Sequence, residues 1–166
     1  MNYIIRRRKK EDIPSIQRVV TISWKETYPG IVPQSELDEL ENNEQIRIKN
    51  SYEDFDENDN NQFVLEIDNE IVGFVNFGIT ENTVYKNCGE IFAIYIIGKY
   101  KGKGYGKKLF ERAVSELKKL GFNKMLISCL KGNSTNEFYK HMGGTYIKDG
   151  IYKRLNLKEN IYYFNI

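Results

Sequence analysis

At 166 residues and 19.5 kDa the chain can bury about two-thirds of its unfolded surface around one core, so a single domain over residues 1–166 is expected. Its 25 Lys and Arg against 23 Asp and Glu leave a formal charge of +2, too balanced for the footprint of a nucleic-acid binder. Cys88 and Cys129 lie far apart beside the single His141, which suggests no metal site and no disulfide framework. With no apolar run of ~18 residues, a cytoplasmic setting away from the membrane is expected.

Tyr3 to Arg7 reads as a strand. Asp12 stands as an N-cap ahead of Ile13, Pro14, Ile16, Val19, Val20 and Trp24, whose spacing is helical and whose proline falls in the tolerated first turn. Tyr28-Pro29-Gly30 ends that helix, and Glu36–Leu40 and Glu44–Lys49 suggest one or two further short helices over a region suited to covering a substrate. Ser51 to Asn61, rich in Asp, Glu and Asn, reads as a solvated loop. Gln62–Ile67 and Ile71–Ile79 form a hairpin about Asp68-Asn69-Glu70.

Glu90 to Ile97 is apolar on both alternating faces after its first residue, as for a covered central strand. Leu109, Phe110, Ala113, Val114, Leu117 and Leu120 make a helical stripe that Gly121 stops, and Lys124–Leu130 is a further strand. Ser134-Thr135-Asn136-Glu137 has the capping-box pattern and opens a helix that Gly143-Gly144 ends. Two tail strands follow near Thr145–Ile151 and Ile161–Ile166. These elements predict an α/β fold: one mixed, mostly antiparallel sheet of six or seven strands flanked by helices.

Between strand and helix lies Lys101-Gly102-Lys103-Gly104-Tyr105-Gly106-Lys107-Lys108. Such a turn directs successive backbone N–H groups and the positive end of a helix dipole at one point, which suits phosphate or pyrophosphate. A dinucleotide fingerprint starting at Gly102 would need Gly at 107, and a Walker loop ending in Gly106-Lys107 would need Gly at 101 and Ser or Thr at 108. Both nucleotide motifs fail on spacing.

The turn resembles the acetyl-CoA loop of the GNAT N-acetyltransferases, Gln or Arg, two residues, Gly, one residue, then Gly or Ala, with Lys101 in the leading position. Ile91 to Ile96 upstream is similar to the family's central strand. Asn133 to Gly144 is similar to its second motif, an Asn, then an aromatic-Tyr pair, then Gly. Ser23-Trp24-Lys25-Glu26-Thr27-Tyr28-Pro29-Gly30 is similar to the N-terminal segment of a GNAT branch whose substrates are mostly unassigned.

That resemblance implies direct acetyl transfer from acetyl-CoA, as cosubstrate and without metal, to a primary amine in a ternary complex. Transfer needs a neutral amine, a stabilised oxyanion and a proton for the departing thiolate. Glu90, fourteen residues ahead of Gly104, stands where histone-acetylating members have a catalytic Glu and is the candidate base. Tyr139 in the second motif is the candidate acid. The resemblance assigns acetyl-CoA to the backbones of Ile94, Tyr95 and Ile96, to Lys101, Gly102, Lys103, Gly104, Tyr105, Gly106 and Lys107, and to Asn133.

The acceptor stays open between a small amine and a protein N-terminus or lysine. The acidic segment Glu53–Asp59 leans toward a cationic small molecule. The tail strands leave a homodimer open. A non-catalytic acyl-CoA-binding or regulatory module is the other reading, told apart by inactivity despite cofactor binding. His141 is expected at the surface, Arg6–Lys10 as a solvated strand end, and Cys129 as a strand residue rather than a nucleophile.

Overall fold

The computed structural model describes residues 2–166. Its strands are β1 (Tyr3–Arg7), β2 (Gln62–Ile67), β3 (Glu70–Ile79), β4 (Gly89–Ile96), β5 (Lys124–Leu130), β6 (Thr145–Tyr152) and β7 (Leu157–Asn165). The α-helices are α1 (Ile13–Thr27), α2 (Gln34–Asn42), α3 (Glu44–Glu53), α4 (Tyr105–Lys119) and α5 (Thr135–His141). The strands make one sheet in the order β1-β2-β3-β4-β5-β7-β6. β1–β2, β2–β3, β5–β7 and β6–β7 are antiparallel and β4–β5 is parallel, the mixed sheet expected from the sequence.

Two units divide the chain: residues up to Asn76 with Ala93–Arg112, and Phe77–Phe92 with Ala113–Ile166. In the first, α1 buries Ile13, Ile16, Val19 and Trp24, and Ile16 and Val19 pack with Val64 and Phe74 of the β2–β3 hairpin. Each such side chain contributes roughly 1.5–3 kcal/mol by leaving water. The hairpin closes with Asp68 and Asn69 at φ 49° and 68°, a two-residue turn with positive φ at both positions, matching the right-handed strand twist.

Asp12 does not cap α1 as expected. Its carboxylate accepts from the Lys9 N–H at 2.7 Å and from two nitrogens of Arg6 at 2.7 and 3.0 Å. Arg6 also reaches Glu66 at 2.8 Å, so the basic strand end is ion-paired rather than simply solvated. Charge-assisted partners outcompete neutral helix N–H groups for a carboxylate.

α3 buries no residue and is instead tied to α1 by polar contacts. Arg47 donates to the Thr21 hydroxyl at 2.6 Å and to Gln17 Oε1 at 3.1 Å, while Thr21 donates to Glu44 at 2.7 Å. The acidic loop after α3 is likewise engaged: Arg8 pairs with Asp59 at 3.2 Å and Arg7 donates to the Glu57 carbonyl.

In the second unit, Met125, Leu126, Ile127 and Tyr162 are fully buried where β5 lies against β7. A Cβ on Gly89 would come within 2.8 Å of Leu117 on α4, so this position has no room for a side chain. Gly121 at φ +92° ends α4 as expected, since only Gly takes this left-handed cap without strain. Ser134 makes no side-chain cap to α5, and Glu137 pairs with Lys140 at 2.8 Å, so the anticipated capping box does not form. Among the described residues no helix is long and apolar enough to cross a membrane.

Candidate active site

The first unit carries Ile94 to Lys107. The parallel register joins Gly89, Glu90 and Ile91 of β4 to Met125, Leu126 and Ile127 of β5, and β4 runs on to Ile96 beyond it. Tyr95 packs edge-on against Phe74 with ring centroids 5.5 Å apart, and Ile96 is buried, so these side chains belong to the core and offer their backbones. Gly73 permits this approach, since a Cβ there would stand 2.7 Å from the Tyr95 carbonyl oxygen.

After the 3₁₀ turn Gly98–Tyr100, the chain enters the glycine loop with Gly102 at φ +73° and Gly104 at φ +83°. A Cβ on either would meet nothing within 4 Å, so glycine is required there by the backbone conformation and not by crowding. Those two left-handed residues turn the chain sharply into α4, whose first-turn N–H groups have no acceptor within the helix. Lys103 and Lys99 set their ammonium groups 5.7 and 4.9 Å from the Tyr100 ring, which holds positive charge beside the loop. The loop therefore fits an anionic pyrophosphate by dipole, donors and charge together.

Not every loop residue points at that ligand space. Tyr105 is buried edge-on against Tyr3 at 5.4 Å, Lys107 lies 3.8 Å from Glu111, and the Lys101 ammonium donates to the Thr27 hydroxyl at 3.3 Å. Tyr105 thus serves the loop through its backbone, with its ring as an anchor.

Glu90, Asn133 and Tyr139 lie in the second unit. Glu90 alternates with Gly89, which faces Leu117 of α4, so its carboxylate projects from the opposite face of the sheet. Burial pushes its pKa up to about 7. Thr80, whose hydroxyl donates to Oε2 at 3.4 Å, opposes that rise, and the negative charges of Glu159 and Glu81 add to it. A carboxyl so poised can accept a proton near neutral pH.

Tyr139 is buried on α5 between Phe138 and Tyr162, with ring centroids 5.5 and 6.2 Å away. Asn133 is buried in the turn after β5, where its Oδ1 accepts the Thr135 N–H at 2.9 Å and so opens α5 in place of Ser134. His141 is exposed, as expected. Cys129 is a buried strand residue whose thiol is pushed up to about 12 by burial and by Glu159, which leaves it unreactive.

Sequence reasoning missed Asn136. Its Nδ2 donates to the carbonyls of Leu130 and Asn133 at 2.9 and 2.7 Å. Its Oδ1 accepts from Tyr162 and Asn160 at 2.8 and 3.0 Å. Only the apparent capping box marked this position, and that pattern pointed to its neighbours.

A family model described as the acetyltransferase (GNAT) family matches residues 18–143. The chain belongs to the GNAT acetyltransferase family. It is thus an acetyl-CoA-dependent N-acetyltransferase, the enzyme class that its motifs imply. An uncharacterized N-acetyltransferase of Bacillus subtilis, YuaI, is 28% identical over 142 residues, which are 82% of this chain and 76% of that protein. Another uncharacterized N-acetyltransferase, from Archaeoglobus fulgidus, is 30% identical over 113 residues, 66% of this chain and 70% of that protein. The paia N-acetyltransferase of Thermoplasma acidophilum, solved in complex with coenzyme A, superposes with a TM-score of 0.75 at 22% identity over 100% of both chains. Salmonella typhimurium yncA, solved with its cofactor acetyl-CoA, gives 0.67 at 17% identity, over 99% of this chain and 94% of that one. These structures share the GNAT fold.

Proposed function

We propose that the protein transfers the acetyl group of acetyl-CoA to a primary amine by direct attack in a ternary complex. The observation that carries the reading is the passage from β4, extended beyond its parallel register, through Gly102 and Gly104 into the N-terminus of α4. Gly102 to Lys107 hold the pyrophosphate through main-chain N–H groups, with Lys101 and Lys103 adding charge. The backbone of Ile94, Tyr95 and Ile96 pairs with the pantetheine arm and presents an N–H to the oxyanion. Asn133 contributes a carboxamide contact to that arm. Acetyl-CoA supplies an activated thioester.

Glu90 acts as the general base that keeps the attacking amine neutral, directly or through water, a role supported by its pKa near 7. Tyr139 donates the proton to the leaving thiolate, and its packed ring holds the hydroxyl in one place. Titration of the purified protein with acetyl-CoA by calorimetry, with ATP and NAD as controls, tests the reading. Selective one-to-one binding followed by acetylation of an amine upholds it, and absence of acetyl-CoA binding to folded protein sinks it.

A further inference from the structure

The Ser23–Gly30 segment closes the C-terminal end of α1. Its two aromatic residues, Trp24 and Tyr28, are buried with ring centroids 4.6 Å apart, and the Tyr28 N–H closes the helix on the Trp24 carbonyl at 3.0 Å. One helical turn spaces these anchors, which fixes the end of α1 and leaves Glu26 and Thr27 displayed from a rigid base.

Glu26 reaches the 3₁₀ turn ahead of the glycine loop, and Thr27 reaches the loop's first residue. Glu26 Oε2 accepts the Gly98 N–H at 2.8 Å across 72 residues of sequence. This is the donor that the 3₁₀ turn cannot satisfy itself, because Tyr100 and Lys101 bond back to Ile97 and Gly98 at 2.9 and 3.0 Å. Gly98 is shaped for this approach: a Cβ there would meet Glu26 Oε2 at 2.9 Å and Cδ at 3.1 Å. Thr27 accepts from the Lys101 ammonium at 3.3 Å, at the loop's leading position. The turn between β4 and the loop is therefore held at both ends by adjacent residues of α1.

We infer that Glu26 and Thr27 are positioning residues for the pyrophosphate loop, bracing Gly98 and Lys101 so that Gly102 to Lys107 are set for acetyl-CoA before it arrives. Preorganisation of this kind removes an ordering cost from binding and acts on affinity more than on the chemical step. The inference rests on the loop being the acetyl-CoA site.

Glu26→Ala, Glu26→Gln and Thr27→Val test it, with coenzyme A binding by calorimetry, KM for acetyl-CoA and kcat measured on each. Glu26→Ala is expected to weaken coenzyme A about fivefold and raise KM to match, with kcat and thermal midpoint near wild type. Glu26→Gln, which keeps an oxygen acceptor, restores affinity to within about twofold of wild type, and Thr27→Val loses about twofold. Hydrogen exchange in the unliganded protein should show the Gly98 amide exchanging about fivefold faster in Glu26→Ala. Unchanged affinity in Glu26→Ala, equal loss in the Gln and Ala variants, or unchanged Gly98 exchange overturns the brace. Failure of the wild type to bind coenzyme A overturns the acetyl-CoA reading instead, while the exchange measurement still decides whether Glu26 braces the turn.

Discussion

Tyr162 donates its hydroxyl to Oδ1 of Asn136 at 2.8 Å, joining a fully buried strand residue to the first turn of the helix that carries Tyr139. The same carboxamide donates to the carbonyls of Leu130 and Asn133, so one side chain links β5, α5 and β7. Asn136→Ala would strand those buried groups and should cost about 2–3 kcal/mol. Urea unfolding reads the loss, and a change below about 0.5 kcal/mol would show the network to be dispensable.

Glu90 sets two pH dependences. If it is the base, kcat/KM should rise with pH through about 7, and Glu90→Gln should lower the rate and abolish that limb. Its effect on stability runs the other way. A carboxyl held near 7 in the fold, against 4.5 ordinarily, keeps a proton that the unfolded chain has released. That contribution is complete below about pH 4.5 and is lost as pH rises through about 7. Unfolding measured from pH 5 to 8 should therefore show Glu90→Gln gaining on the wild type as pH increases, and a constant difference would place the group in open solvent.

Tyr139→Phe keeps the packed ring and removes the hydroxyl. As the acid, Tyr139 should take kcat down about tenfold or more on its loss, with coenzyme A affinity unchanged. Activity held within about twofold would remove it from the mechanism.

Gly104 and Gly121 have similar left-handed backbones, φ +83° and +92°, with open space around both. An Ala at either position should cost about 1 kcal/mol of stability through backbone strain alone. Gly104→Ala should in addition weaken coenzyme A binding about tenfold, because the loop's N–H groups turn away, whereas Gly121→Ala should bind as wild type. Equal affinities in the two variants would detach the loop from ligand binding.

Local signals were legible in the residues themselves. β5 begins at Lys124 and ends at Leu130 as expected from its largely apolar run, the Asp68-Asn69 turn closes the expected hairpin, and Gly121 stops α4. Period, turn conformation and helix stops depend on neighbours within a few positions, so sequence alone determined them. The glycine loop and the order of the two family motifs were readable for the same reason.

Tertiary structure decided which partner each polar side chain takes. Asp12 left the helix it precedes for Arg6, Ser134 yielded its capping place to Asn133, and Glu26 found Gly98 far along the chain. Glu90 was placed by its strand but acquired its proton affinity from burial, with Glu159 and Glu81 nearby, none of which a linear pattern records. Hydrogen bonds and desolvation are settled by competition among groups brought together in space, and that competition has no counterpart in local periodicity.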